Sequence, residues 1–259
     1  MPQSEPWLTV CIPAYNEVRG IGNTLQRVRE YLDRQTYSYE VIVAVDGEDG
    51  TDEVVRRVMD TDNRVHLIWN KARSGKGRGV RASVSQARGE VIGFLDADYK
   101  TPIDEAPKLL EALKDYDIAI GSRGLPASSI QREQPLFRRA GSRVFRVGMR
   151  LITGLYGIVD TQCGFKFFRG DVARDLFRRQ RIDGYMFDVE ILYLARKIGY
   201  RVTEVGVQWS DDKDSRLALV QGNWENLVDL FRIRLSTSAP TVDAGKSSEA
   251  ESDAATRRA

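Results

Sequence analysis

Apolar residues fall along this chain in two rhythms. Leu8-Thr9-Val10-Cys11-Ile12, Tyr39 to Asp46, Val65 to Trp69, Val91 to Leu95 and Ile118-Ala119-Ile120 are short β-forming runs. Their length and their near-continuous apolar character predict strands buried on both faces. Between the first two runs, Ile21, Leu25, Val28 and Leu32 repeat at helical spacing. Helices are also predicted over Glu53 to Met59, with Thr51 or Asp52 as its cap, then up to about Ala87, and from the lead-in Pro102-Ile103-Asp104 through Leu113. Pro13 is expected to stop the first strand's ladder. The order β-α-β-α-β-α-β-α-β predicts an α/β fold with a mostly parallel central sheet, flanked by helices and joined by right-handed crossovers.

The second half reads differently. Residues 136–156 carry Arg139, Arg143, Arg146 and Arg150 on one helical face, with Phe137, Ala140, Val144, Val147 and Leu151 one step away. A basic amphipathic helix suits a membrane surface or an anionic partner, and it also suits an ordinary solvated face. Val159 to Phe168 returns to strand character. A helix opens near Phe187 and runs to about Lys197, and Arg201 to Trp209 is a late strand. Val220, Trp224, Leu227, Val228, Phe231 and Leu235 mark a second amphipathic helix, and residues 236–259 have the composition of a disordered tail. The expected organisation is one domain over 1–235, with a first half at 1–125 and a second at 126–235.

Chemistry collects where the predicted strands end. Val91-Ile92-Gly93-Phe94-Leu95 runs into Asp96-Ala97-Asp98, and alternation puts the two carboxylates on one side. Open α/β sheets bind ligands at the carboxyl ends of their strands. Two such acids need cations or donors nearby, and a divalent ion shared with substrate phosphates is one solution. The plainer alternative is a pair of strand-end turn or cap residues. Tyr15 and Glu17 after the first strand and Asp46 after the second converge on the same edge, which favours the functional reading. The loop from Asn70 to Gly79 has three glycines and four cations and suits a diphosphate, although it lacks the G-x-x-x-x-G-K-[ST] pattern; a solvated loop is its other reading. Asp188 and Glu190 open a helix, as macrodipole partners or as a pair facing a cleft.

Composition narrows the classes. With 42% hydrophobic and 29% charged residues the chain is an ordinary globular one, and a net charge of +2 excludes a global polyelectrolyte role. The charge is uneven: residues 123–150 hold seven arginines and one acid, Glu133. Aromatics do not alternate with these cations, so nucleic acid is not the expected partner. The single histidine, His66, lies in a predicted strand and rules out clustered-histidine chemistry. Cys11 and Cys163 form no disulfide framework and suit a reducing compartment. No leader-like segment and no run of about 18 apolar residues is present. A cytoplasmic protein peripherally associated with the membrane is expected.

Taken together, several blocks resemble a known family. Pro13-Ala14-Tyr15-Asn16-Glu17, Asp46, Lys76-Gly77, Asp96-Ala97-Asp98 and Gly121-Ser122-Arg123 resemble the family 2 inverting glycosyltransferases, whose nucleotide-sugar-binding fold is called GT-A. Asp160 to Lys166, Phe187-Asp188-Val189-Glu190 and Asp229 to Leu235 look like the dolichyl-phosphate β-glucosyltransferases, with the corresponding mannosyltransferases as near relatives. The resemblance covers about residues 8–235. Tyr99-Lys100-Thr101 and Asp214-Ser215-Arg216 depart from that pattern.

The resemblance implies metal-dependent, inverting transfer of a hexose, glucose favoured, from UDP-glucose to a polyprenyl or dolichyl phosphate. It implies that Pro13, Tyr15, Glu17, Asp46, Lys76 and Asp96 bind the nucleotide sugar. Asp96 and Asp98 would hold Mg2+ or Mn2+, and together with Arg123 they form the expected catalytic set. Arg123, Arg139 and Arg143 are the expected acceptor-phosphate cations; Gln162, Lys166, Asp188 and Glu190 are the expected sugar or acceptor contacts. The amphipathic helices would lie at the membrane surface. The rival readings are a GDP-mannose enzyme, an enzyme with a soluble acceptor, and a catalytically silent sugar-nucleotide-binding subunit of a membrane complex.

Overall fold

A computed structural model describes residues 5–126, 128–130, 148–210 and 224–235. All five predicted strands of the first half are present: β1 Leu8–Tyr15, β2 Tyr39–Asp46, β3 Val65–Asn70, β4 Val91–Leu95 and β5 Ile118–Ser122. Between them lie α1 Ile21–Leu32, α2 Thr51–Met59, α3 Lys76–Gln86, a 3-10 turn Ile103–Glu105 and α4 Ala106–Ala112. The second half adds β6 Ser129–Ile130, β7 Phe165–Arg169, α5 Gly170–Arg179, α6 Phe187–Ile198, β8 Val202–Gly206, β9 Gln208–Trp209 and α7 Trp224–Leu235.

Seven strands form one sheet in the order β3-β2-β1-β4-β7-β5-β8, and β6 pairs with β9 separately. β7 runs antiparallel to both β4 and β5, while the other pairings of the large sheet are parallel. A strand from the second half therefore sits inside the sheet begun by the first. The start of β7 lies at the same edge as the carboxyl ends of β1, β2, β4 and β5.

Alternate residues of the strands feed two cores. Cys11, Ile42, Ile92, Phe94 and Phe168 pack on one face with Val80 and Val84 of α3, Leu176 and Phe177 of α5, and Phe187 and Leu192 of α6. Val10, Ile12, Val41, Val43 and Phe167 pack on the other with Ile21, Leu25 and Val28 of α1 and Leu109 of α4. Burial on both faces explains why these strands read as continuous apolar runs.

Four local expectations need correction. Pro13 does not end β1, which pairs with β2 as far as Tyr15↔Asp46. The ladder to β4 does end early, at Cys11↔Phe94. Trp7 O accepts from Val91 N while Leu8 N donates to Ser38 O, so odd-numbered residues of β1 face β4. The missing N–H of Pro13 thus falls on the side where pairing has already stopped. Second, α2 begins at Thr51 itself, and its N–H is taken by Asp49 Oδ1 at 3.0 Å. Third, strand structure begins only at Phe165, because 160–164 turn across the site edge. Fourth, the late strand predicted over Arg201 to Trp209 divides at Val207 into β8 and β9, which lie in different sheets. The sequence reading has no helix at α5, which is amphipathic through Val172, Ala173, Leu176 and Phe177.

Of the predicted basic helix, residues 148–153 are helical. Arg139, Arg143 and Arg146 lie outside the described residues, as does the tail. Arg150 turns inward, and its Nη2 donates to Ile158 O at 2.8 Å. No described helix is long and apolar enough to cross a membrane. His66 lies on edge strand β3, with Nε2 3.9 Å from Glu40 Oε2.

Gly93 shows how closely β4 and β7 approach. A Cβ there would meet the Phe167 ring at 2.6 Å. The buried Phe167 has no room to yield, so Gly93→Ala is expected to destabilise the fold by about 1–3 kcal/mol. A urea midpoint equal to that of the parent would show that the ring moves aside freely.

Candidate active site

The two carboxylates of Asp96-Ala97-Asp98 remain on one side past the end of β4. Ala97 points the other way into the α1 core, and its carbonyl accepts from Thr24 Oγ1 at 2.7 Å. Each acid has a lysine. Lys76 Nζ, at the start of α3, is 2.6 Å from Asp96 Oδ1, and Lys100 Nζ is 3.0 Å from Asp98 Oδ2. Burial and then the charge of Asp96 raise the Asp98 carboxyl above its ordinary range, and Lys100 offsets this in part. Burial opposes the charge on Lys76, but Asp96, Asp188 and Asp98 outweigh it and hold the ammonium above its usual range.

The turn after β4 is strained. Tyr99 has φ 54°, in the left-handed region that a bulky residue avoids. Its hydroxyl accepts from Ile103 N at 3.2 Å, and Arg27 lies over its ring at 5.3 Å. These contacts hold the backbone that aims Asp98 and Lys100. Asn16, after β1, has the same φ of 54°.

The β1 and β2 ends form a second flank. Pro13 is buried and packs near Gly79 of α3. The Tyr15 ring is 36% exposed, with the Arg73 guanidinium 4.6 Å from its centroid. Glu17 is anchored by its N–H on Thr51 Oγ1 at 2.9 Å. Asp46 ties the 70–79 loop to this edge. Its Oδ2 accepts from Ser74 N at 2.6 Å and Gly75 N at 3.1 Å, and the Ser74 hydroxyl adds a third bond. The loop is therefore held at the site, and Lys76 follows directly from it.

A buried polar layer stands behind these groups. Gly164 leaves the space that the Asp96 carboxylate fills; a Cβ there would overlap Asp96 Oδ2 at 2.0 Å. Lys166 and Asp188 are both buried and form an ion pair, and Lys166 also donates to Cys163 O at 2.7 Å. Burial raises the Asp188 carboxyl while Lys166 and Lys76 pull it down. Glu190 accepts from Arg181 N and Ile182 N at 3.0 and 2.8 Å, which braces the chain before α6. Gln162 is half-buried on the turn before Gly164, and its N–H reaches Asp160 Oδ1 at 3.3 Å. Cys163 is fully buried, and burial pushes its thiol up to about 12, so it is a packed residue.

Arg123, at the end of β5, is clamped by Asp160. Its Nε and Nη2 donate at 2.7 and 2.9 Å and its backbone N–H at 3.0 Å, with the Trp209 ring 5.4 Å away. Burial works against the Asp160 charge, but Arg123 overcomes it and holds the carboxyl at about 2. Lys100, Asp160, Arg73, Ser74 and Gly164 also stand at this candidate site; the sequence sets them within the family blocks and the glycine-rich loop but gives none of them a role. A buried arginine and a crowded acid each demand a partner, but the sequence does not say which one.

The donor set fits a hard divalent ion. Among the described residues no group of three His, Cys, Asp or Glu surrounds a cation position. Asp96 and Asp98 would supply two carboxylates to such an ion, and a Mg2+ or Mn2+ ion usually takes its remaining ligands from substrate phosphates and water.

The Arg123–Asp160 pair carries a pH signature. The folded carboxyl lies below the unfolded value of about 3.9. Its contribution, on the order of 2 kcal/mol, is complete above that value and is lost as pH falls through about 2. The stability gap between the parent and Asp160→Asn, measured by urea unfolding, should therefore narrow from neutral pH to about pH 2. A constant gap would show that the carboxylate charge is not what matters.

Comparison with known proteins gives the family. The glycosyl transferase family 2 model matches residues 9–177. A dolichyl-phosphate beta-glucosyltransferase of Trichomonas vaginalis is 34% identical over 248 residues, covering 90% of this chain and 72% of that protein. The dolichyl-phosphate beta-glucosyltransferase of Drosophila melanogaster is 34% identical over 247 residues, covering 87% and 74%. A similar fold occurs in glucosyl-3-phosphoglycerate synthase from Mycobacterium tuberculosis, solved with Mn2+, UDP and glucosyl-3-phosphoglycerate. The TM-score is 0.64 at 15% identity, covering 93% of this chain and 82% of that one. The chain belongs to glycosyltransferase family 2 and has the α/β GT-A fold.

Proposed function

We propose that this glycosyltransferase moves glucose from UDP-glucose to a polyprenyl phosphate with inversion, using Mg2+ or Mn2+, at the surface of a membrane. The observation that carries the reading is the lysine-compensated Asp96/Asp98 pair on the edge shared by β1, β2, β4 and β7. The relatives named above supply the sugar and the lipid class, and the structural neighbour supplies the UDP and the metal.

Tyr15 and Arg73 offer a stacking face to the base, and Pro13, Glu17 and Asp46 line the nucleoside. Lys76 swings from Asp96 to the diphosphate and supports its charge. Asp96 and Asp98 would hold the ion, and when bound it would supply charge neutralisation for the leaving UDP. The acceptor phosphate is ionised near neutral pH, so the chain need not supply a strong base. One of its oxygens forms a bond to the anomeric carbon as the bond from that carbon to UDP breaks on the opposite face. Arg123 orients the acceptor phosphate from the rigid Asp160 clamp, with Arg139 and Arg143 as further cations. Gln162 contacts the sugar; Lys166, through Cys163 O, and its partner Asp188 support that turn from behind, while Glu190 braces the chain before α6.

Protein incubated with radiolabelled UDP-glucose, Mn2+ and a polyprenyl phosphate should put label into the organic phase. Asp98→Asn is expected to lower that rate on the order of 100-fold, and Gly164→Ala to lower it with the fold retained. Label from GDP-mannose alone would replace the glucosyl reading with the mannosyl one. Hydrolysis of UDP-glucose without lipid label would keep the donor site and remove the proposed acceptor.

A further inference from the structure

Helix α6 has two differently charged ends. Asp188, in its first turn, belongs to the site. Arg196 and Lys197, in its last turn, are eight and nine residues further on, about 12 Å along the axis. There they border a separate cleft of about 400 Å3 between residues 151–156, the end of α6 and α7. Arg234 of α7 completes three cations around it, and among the described residues no carboxylate lines the cleft.

Among the described residues these cations are held by neutral partners. Arg196 Nη1 donates to Gly154 O, Arg234 Nη1 to the Tyr193 hydroxyl at 3.3 Å, and Lys197 Nζ lies 4.9 Å from the Tyr193 ring centroid. Burial opposes ionisation of the Tyr193 hydroxyl, but Arg234 and Lys197 outweigh it and pull its pKa below the usual range. None of the three cations forms an ion pair with a carboxylate among the described residues. The macrodipole of α6 favours cations at its last turn, but it does not account for Arg234, which comes from another helix.

Two apolar residues that line the cleft are exposed, and so is the leucine that follows Arg234. Leu151 is 67% exposed, Tyr156 63% and Leu235 74%. On α7, Leu227, Phe231 and Leu235 recur every fourth residue as an outward stripe, while Leu230 and Ile233 are buried. An apolar stripe beside unneutralised cations matches the two layers of an anionic bilayer surface, acyl chain and phosphate.

We infer that the Arg196/Lys197/Arg234 cleft is a binding site for the phosphate headgroup of an anionic phospholipid, with Leu151, Tyr156 and Leu235 seated at the acyl boundary. This deepens the membrane part of the proposed function and adds a site separate from the catalytic one. It anchors the chain and takes no part in transfer.

The test is co-flotation of the full chain with vesicles of equal parts phosphatidylglycerol and phosphatidylcholine, and with phosphatidylcholine alone. A basic residue near an anionic surface is worth roughly fivefold in binding. The triple variant R196A/K197A/R234A should therefore lose on the order of 100-fold on the anionic vesicles and little on the neutral ones. R196K/R234K should bind as the parent does. Leu235→Asp should also weaken binding, because the exposed apolar residues act with the cations. UDP-glucose binding in the presence of Mn2+ should stay unchanged in all of them, which separates this site from the donor site. All three cationic side chains are exposed, so thermal midpoints should match the parent. Unchanged flotation of the triple variant would overturn the inference. So would a loss equal on both vesicle types, a loss of donor binding alongside flotation, or full displacement of the parent by inorganic phosphate at constant ionic strength.

Discussion

Two acids separated by one residue, at the end of a buried strand, cannot be left without cations. The rest of this structure follows from that constraint. The Asp96 and Asp98 carboxylates repel each other, and removing water from around them adds to the cost. The chain answers with Lys76 from the start of α3 and Lys100 from the turn after β4. Asp46 fixes the loop that presents Lys76. The strained Tyr99 backbone, pinned by Ile103 and Arg27, presents Lys100. In the proposed reaction a divalent ion would take over the carboxylates, and the diphosphate would take over the lysines.

The inserted antiparallel strand makes the arrangement a single unit. β7 enters between β4 and β5 and starts at the reactive edge. Its approach places Gly164 against Asp96, Lys166 beneath the site, and the Asp160 clamp next to Arg123. Breaking a buried pair such as Lys166–Asp188 leaves an uncompensated charge and typically costs about 3–5 kcal/mol. The positioning of the site and the stability of the sheet are therefore coupled through the same residues.

The parallel half of the fold was legible because its strands are buried on both faces. Val41-Ile42-Val43 and Ile118-Ala119-Ile120 can be read as strands with no knowledge of their neighbours. Phe165 to Phe168 also reads as a strand, but its direction and its place between β4 and β5 depend on tertiary contacts that leave no local pattern. Helix α5 did carry a signal, in the helical spacing of Val172, Ala173, Leu176 and Phe177. Of the candidate site, the acids were legible from their position after apolar runs. Their partners were not: Lys100 stands two residues from Asp98, but Lys76 is twenty from Asp96 and Asp160 thirty-seven from Arg123. Glu190 looked free to face a cleft because a sequence does not show which backbone N–H groups a carboxylate will accept from.

The most direct test is a crystal structure of the chain with Mn2+ and UDP, read by the anomalous signal of the metal. One strong peak is expected in bonding distance of Asp98, with Asp96 and the UDP phosphates completing its contacts and with Lys76 and Lys100 released from the carboxylates. UDP bound while both lysine pairs stay intact and no metal peak lies at Asp96 or Asp98 would contradict the proposed metal site.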